Sequence, residues 1–100
     1  MNRNLMRQAQ ELQNKLAKAQ EELATITVEG SAGGGAVKVV ITGQQKVESV
    51  KVSPEAVNPQ EVELLEDMIT AAVNDAIQKS QDMAQKKLSA VSGIKIPGLM

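Results

Sequence analysis

Thr25-Ile-Thr-Val-Glu29, followed by Gly30-Ser-Ala-Gly-Gly-Gly35 and Ala36-Val-Lys-Val-Val-Ile-Thr42, is the stretch on which the reading of the fold turns. The first segment is β-branched and alternating, the pattern of a short strand. The glycine-rich segment reads as a flexible connection. Ala36–Thr42 is a second strand, with Val37, Val39 and Ile41 sharing one face. Gly43-Gln-Gln45 is a turn, and Lys46-Val-Glu-Ser-Val-Lys-Val52 is a third strand whose Val50 and Val52 point inward. Three short strands joined by tight connections predict an antiparallel meander with exposed edges.

The flanks of this sheet are helical. Upstream, Leu5, Ala9, Leu12, Leu16, Ala19, Leu23 and Ile26 recur at alternating steps of four and three. That spacing is the seam of a helix packed nearly along another helix, and it predicts a helix over 4–24. Downstream, Ser53-Pro54-Glu55 breaks the third strand. Asn58 is a good N-cap, Pro59 suits a first helical position, and Glu61 stands three residues after Asn58, so a second helix is expected over 59–92. Its broad apolar face runs from Val62 and Leu65 through Ala76 to Leu88 and Val91, and Gly93 is its natural stop. Residues 93–100 read as a flexible tail. The expected architecture is one α+β domain over 1–100, in the order helix, sheet (25–52), helix, tail.

Composition bounds the function. The chain has 100 residues, hydrophobic content of 42% and charged content of 23%, which places it with ordinary folded domains. It contains no Phe, Tyr or Trp, so its core must be built from side chains that bury less area than a ring does. A core that lean predicts association with a second copy. Without Cys there are no disulfides or thiolate metal sites. Without His the usual general base and the commonest transition-metal ligand are missing too. The N-terminus has no signal-peptide pattern and no run is long enough to span a bilayer, so a cytoplasmic protein without a membrane partner is expected.

Net charge is −1, but its distribution is polar. Residues 1–20 carry Arg3, Arg7, Lys15 and Lys18 against Glu11, and residues 55–75 carry six acids and no base. Beyond 78, Lys79, Lys86, Lys87 and Lys95 face only Asp82. At about 100° per residue, Arg3, Arg7 and Lys18 fall within about 60° of one another, with Lys15 about 60° further round. This stripe points away from the leucine seam. On the second helix Lys79 and Lys86 flank the apolar face, whereas Lys87 projects nearer its middle, where a lysine snorkels. A solvated face of mixed charge is the competing reading, since Glu11 and Glu22 dilute the stripe.

Catalysis has little support. The Gly30–Gly35 segment is followed by a strand and lacks the Gly-Lys-Ser/Thr of a phosphate loop. Glu61, Glu63, Glu66 and Asp67 crowd the start of a helix, where the dipole favours acids, so no metal site is expected from them. No serine has a histidine to activate it. No catalytic residue, cofactor or small-molecule substrate is expected. If nucleic acid is the partner, the absence of aromatic rings excludes stacking on unpaired bases. What remains is phosphate contact with a duplex from Lys and Arg, weak in sequence preference and strongly salt-dependent.

Leu5-Met-Arg-Gln-Ala-Gln10, Leu12-Gln-Asn-Lys-Leu-Ala-Lys18 and Gln20-Glu-Glu-Leu23 resemble the N-terminal helix of YbaB/EbfC proteins. Val28 to Val39, the Gly43 turn and Val50-Lys-Val-Ser-Pro54 are similar to that family's glycine-rich hairpin and third strand. Leu65-Glu-Asp-Met-Ile-Thr-Ala-Ala-Val-Asn-Asp-Ala76 resembles its second helix. The resemblance implies a homodimer that joins two sheets and projects helices like tweezers. It also implies a bacterial nucleoid protein of low sequence preference, which contacts duplex DNA through the projecting helices. On matching positions that points to Arg7, Lys15 and Lys18, and the charge pattern adds Arg3, Lys79, Lys86 and Lys87. The alternative is a scaffold dimer serving replication or recombination factors without touching DNA.

Overall fold

The computed structural model describes residues 3–92. Helix α1 spans Arg3–Leu23, strands β1, β2 and β3 span Thr27–Ala32, Val37–Thr42 and Val47–Val52, and helix α2 spans Val62–Ser92. The strands form one antiparallel sheet in the order β1-β2-β3, so the molecule has the α+β meander that the residue patterns imply. The expected tail, 93–100, lies outside the described residues.

Helix α2 lies across one face of the sheet. Val37, Val39 and Ile41 alternate along the central strand and are buried against Ala72 and Ala76. Burying each such side chain is worth about 1.5–3 kcal/mol. Ala72, Ala76 and Ser80 follow at four-residue steps, and all three are fully buried. Small residues on that row bring the helix backbone close to the strands.

The glycine-rich segment departs from the expected flexible connection. Gly30, Ser31 and Ala32 belong to β1, paired with Val39, Lys38 and Val37, and only Gly33–Gly35 forms the turn. Gly30 is a strand residue because the helix passes over it. A Cβ there would lie 2.3 Å from the Ala76 amide nitrogen and 2.5 Å from the Ala72 carbonyl oxygen.

The second helix also starts later than Pro59. Asn58 caps a turn instead: its Oδ1 accepts from the Gln60 amide at 3.0 Å, and its carbonyl accepts from Glu61 N–H at 2.9 Å. That turn faces Glu61 so that its carbonyl takes a helical bond from Leu65 N–H, and α2 opens at Val62.

The third strand is bulged and largely uncovered. Val40 pairs with Ser49 but Ile41 pairs with Val47, which leaves Glu48 as an extra residue. The pairing sets Val47, Val50 and Val52 opposite Ile41, Val39 and Val37, on the face that α2 covers elsewhere. Val50 and Val52 therefore face the helix side as expected, yet Val50 is 46% exposed and Val52 only half-buried. The reason is that α2 sits over β1 and β2. Asp75 accepts from Ser31 N–H, and Gly33 lies beneath Met68, so that flank of α2 is held over β1. Ile69, Val73 and Ile77, on the other flank, are half-buried beside the bare valines of β3.

Beyond the sheet, α1 packs antiparallel along the second half of α2 to make a two-helix arm, and the molecule measures 70 × 27 × 16 Å. The leucine seam is used progressively. Leu23 and Ala19 are buried, Leu12 and Leu16 half-buried, and Leu5 is 64% exposed. The β2–β3 turn ties the arm to the sheet. Gly43 N–H donates to the carbonyls of Leu23 and Ile26, both at 2.9 Å, while the buried Ser80 hydroxyl donates to Thr42 O at 2.8 Å.

Candidate nucleic-acid interface

The basic residues singled out in the sequence fall into two groups. Arg3, Arg7, Lys15 and Lys18 are all exposed along α1, and Lys86 is exposed on α2. None of these five makes an ion pair with another of the described residues. Their charges are available to a partner.

Lys79 and Lys87 are occupied by the fold. Lys79 Nζ sits 3.1 Å from Asp75 Oδ2 and donates to Glu29 O at 3.2 Å, which fastens α2 to β1. The Asp75 carboxyl is held below the ordinary aspartate range, first by the Ser31 N–H and then by Lys79. Lys87 Nζ lies 2.7 Å from Glu22 Oε2 and its side chain is 26% exposed, so its stem is covered as its position near the apolar face implies. Here the ammonium does not reach solvent alone. It bridges the two helices of the arm and holds the Glu22 carboxyl below its usual range, chiefly by the hydrogen bond, with Lys18 adding a smaller attraction.

The Glu22–Lys87 pair carries no signal in the sequence, because it joins positions that only the tertiary packing brings together. Beside it runs an open groove of about 330 Å³ between the helices, lined by Lys15, Lys18, Ala19, Glu22, Ala90 and Val91. Lysines and a carboxylate form one wall and small apolar side chains form the other.

The acids collect at the opposite end. Glu55, Glu61, Glu63, Glu66 and Asp67 are exposed near the start of α2, so charge is separated along the long axis. Among the described residues no helix is long and apolar enough to cross a membrane. Ser80, one of the serines without a histidine, is a structural donor to the sheet.

The chain is similar to known proteins over nearly its whole length. A nucleoid-associated protein of Syntrophobacter fumaroxidans is 53% identical over 97 residues, covering 96% of this chain and 88% of the relative. One from Pelotomaculum thermopropionicum is 49% identical, with 95% and 91% covered, and one from Chloroflexus aurantiacus is 45% identical, with 91% of both covered. The fold matches the crystal structure of an uncharacterized protein from Helicobacter pylori with a TM-score of 0.77, over 94% of this chain and 99% of that one, at 16% identity. Residues 1–94 match the profile of the YbaB/EbfC DNA-binding family. With nearly the whole chain matched and relatives this similar, the protein belongs to the YbaB/EbfC DNA-binding family.

Proposed function

We propose that the protein is a cytoplasmic, nucleoid-associated protein that binds duplex DNA as a homodimer, mainly through phosphate contacts and with low sequence preference. The observation that carries this reading is the row of unpaired cations Arg3, Arg7, Lys15 and Lys18 along the arm of a chain from a DNA-binding family. Lys86 joins them, whereas Lys79 fastens α2 to β1 and Lys87 bridges the two helices of the arm. Lysine and arginine on a helix face release counterions from phosphates without reading bases, and no aromatic side chain is present to stack on them.

Two features favour a second copy as the other partner. On β3 Val47 and Val50 are exposed beside half-buried Val52, flanked by Ile69, Val73 and Ile77 of α2, and Val57 and Val62 are more than half exposed. Contiguous exposed apolar surface of this kind marks an interaction site. The free edge of β3 also leaves backbone donors and acceptors for another strand. A dimer doubles the arms and presents eight cations from the α1 stripes.

The deciding experiment is a titration into two unrelated duplexes at several salt concentrations. With about six phosphates neutralised, log K falls against log salt with a slope near −5 on both duplexes. The charge-reversal variant Arg7→Glu, Lys15→Glu, Lys18→Glu abolishes retention while sedimentation still reports a dimer. Retention unchanged in that variant would refute the helix stripe as the binding surface. No binding at low salt would leave the scaffold reading in its place.

A further inference from the structure

The groove between α1 and α2 sets Lys15 and Lys18 beside the Glu22–Lys87 pair that bridges the arm. Lys15 and Lys18 stand on its α1 wall with Glu22 between them and Lys87, while Ala90 and Val91 on α2 leave the opposite wall small and free of charge. Resting on the DNA-binding reading above, we propose that this groove seats a backbone phosphate of the duplex, and that Glu22 attenuates the seat by holding Lys87.

A phosphate diester fits this chemistry. Its oxygens accept hydrogen bonds, and Lys15 and Lys18 line the groove beside Glu22, which holds Lys87. An ammonium has three donors, so Lys87 retains capacity for a phosphate oxygen while paired with Glu22. The low wall of Ala90 and Val91 lets a bulky backbone approach without displacing a longer side chain. Glu22 opposes the same approach. Its carboxylate is a negative charge among the lysines, hydrogen-bonded to Lys87. The seat therefore carries the two positive charges of Lys15 and Lys18 and the negative charge of Glu22, and removal of that negative charge raises its attraction for a phosphate and releases Lys87 as a further cation beside it. Glu22 is a positioning residue that sets how tightly the arm grips.

The test compares full-length variants in the same DNA titration. Glu22→Gln tightens binding about three- to tenfold at low salt and steepens the slope of log K against log salt by about 0.9 for each added phosphate neutralised. Ala90→Glu, which places a carboxylate on the far wall, weakens binding by a similar factor. Ala71→Glu makes the same change in net charge at an exposed position of α2 near the sheet and leaves binding unchanged. Wild-type affinity and slope in Glu22→Gln, or equal behaviour of Ala90→Glu and Ala71→Glu, would overturn the seat while leaving DNA binding intact. Saturable shifts of the Lys15 and Lys18 resonances with inorganic phosphate alone, without a Glu22→Gln effect on DNA, would overturn it in favour of a free-anion site. Absence of DNA binding by the wild-type protein removes the broader reading and this one with it.

Discussion

At Gly30 a single hydrogen atom decides whether the helix can reach the sheet. The backbone of α2 passes so close that a methyl group would meet the Ala76 amide and the Ala72 carbonyl, neither of which can move without bending the helix. Gly43 has the same role at the other end of the contact, where a Cβ would lie 2.7 Å from Leu23 Cδ2 and 2.9 Å from the Leu23 carbonyl oxygen. Gly30→Ala is expected to cost about 3 kcal/mol, at the upper end of overpacking penalties because the clash is with backbone. Urea denaturation measures it, and a midpoint equal to that of the wild type would show that the helix yields more easily than this geometry implies.

Among the elements, β3 and α2 set the character of the molecule. The central strand β2 is covered by α2, and its valines and isoleucine form the core. The third strand has the same alternating composition but lies largely beyond the reach of the helix, so Val47 and Val50 remain bare while Val52 is half-buried against the core. The difference is one of position in the sheet and not of sequence. Substitution of a charge there tests what covers it: Val50→Asp is expected to convert the proposed dimer to a monomer at micromolar concentration, with helix content retained. Sedimentation and far-UV circular dichroism measure the two together. A dimer that survives the charge would place the interface elsewhere. The arm behaves differently, because its helices are pinned by Gly43, Ser80 and the Glu22–Lys87 pair, all independent of the bare face.

The whole molecule separates its charges. The acidic start of α2 and the cations of the arm lie at opposite ends of a 31-residue helix, and Glu63 is about 35 Å from Lys86 at 1.5 Å per residue. At physiological ionic strength the Debye length is about 8 Å, so the acids are screened from the DNA contact proposed for the arm. Replacement of Glu63, Glu66 and Asp67 by their amides is expected to change DNA affinity by less than about twofold at 0.15 M salt, as measured by fluorescence anisotropy. A tenfold gain would mean that DNA also approaches the sheet end. A net charge of −1 is therefore a poor guide to this protein, since the two ends act separately.

The residue pattern by itself determined the order of elements, the antiparallel meander and the exposed basic stripe of α1, because periodicity and charge spacing are local properties of the chain. The family was legible as well, carried by motifs spread over its length. Local pattern did not reveal Gly30 as a strand residue, since a glycine run looks like a loop until a helix is seen to cross it. Nor did it separate Lys79 and Lys87 from the free cations, because their acceptors, Glu29 O and Glu22, stand on other elements. The tertiary structure decided which lysines remain available, where the groove opens and which valines stay bare. Each of these depends on distances between segments remote in sequence, and spacing along the chain carries no information about them.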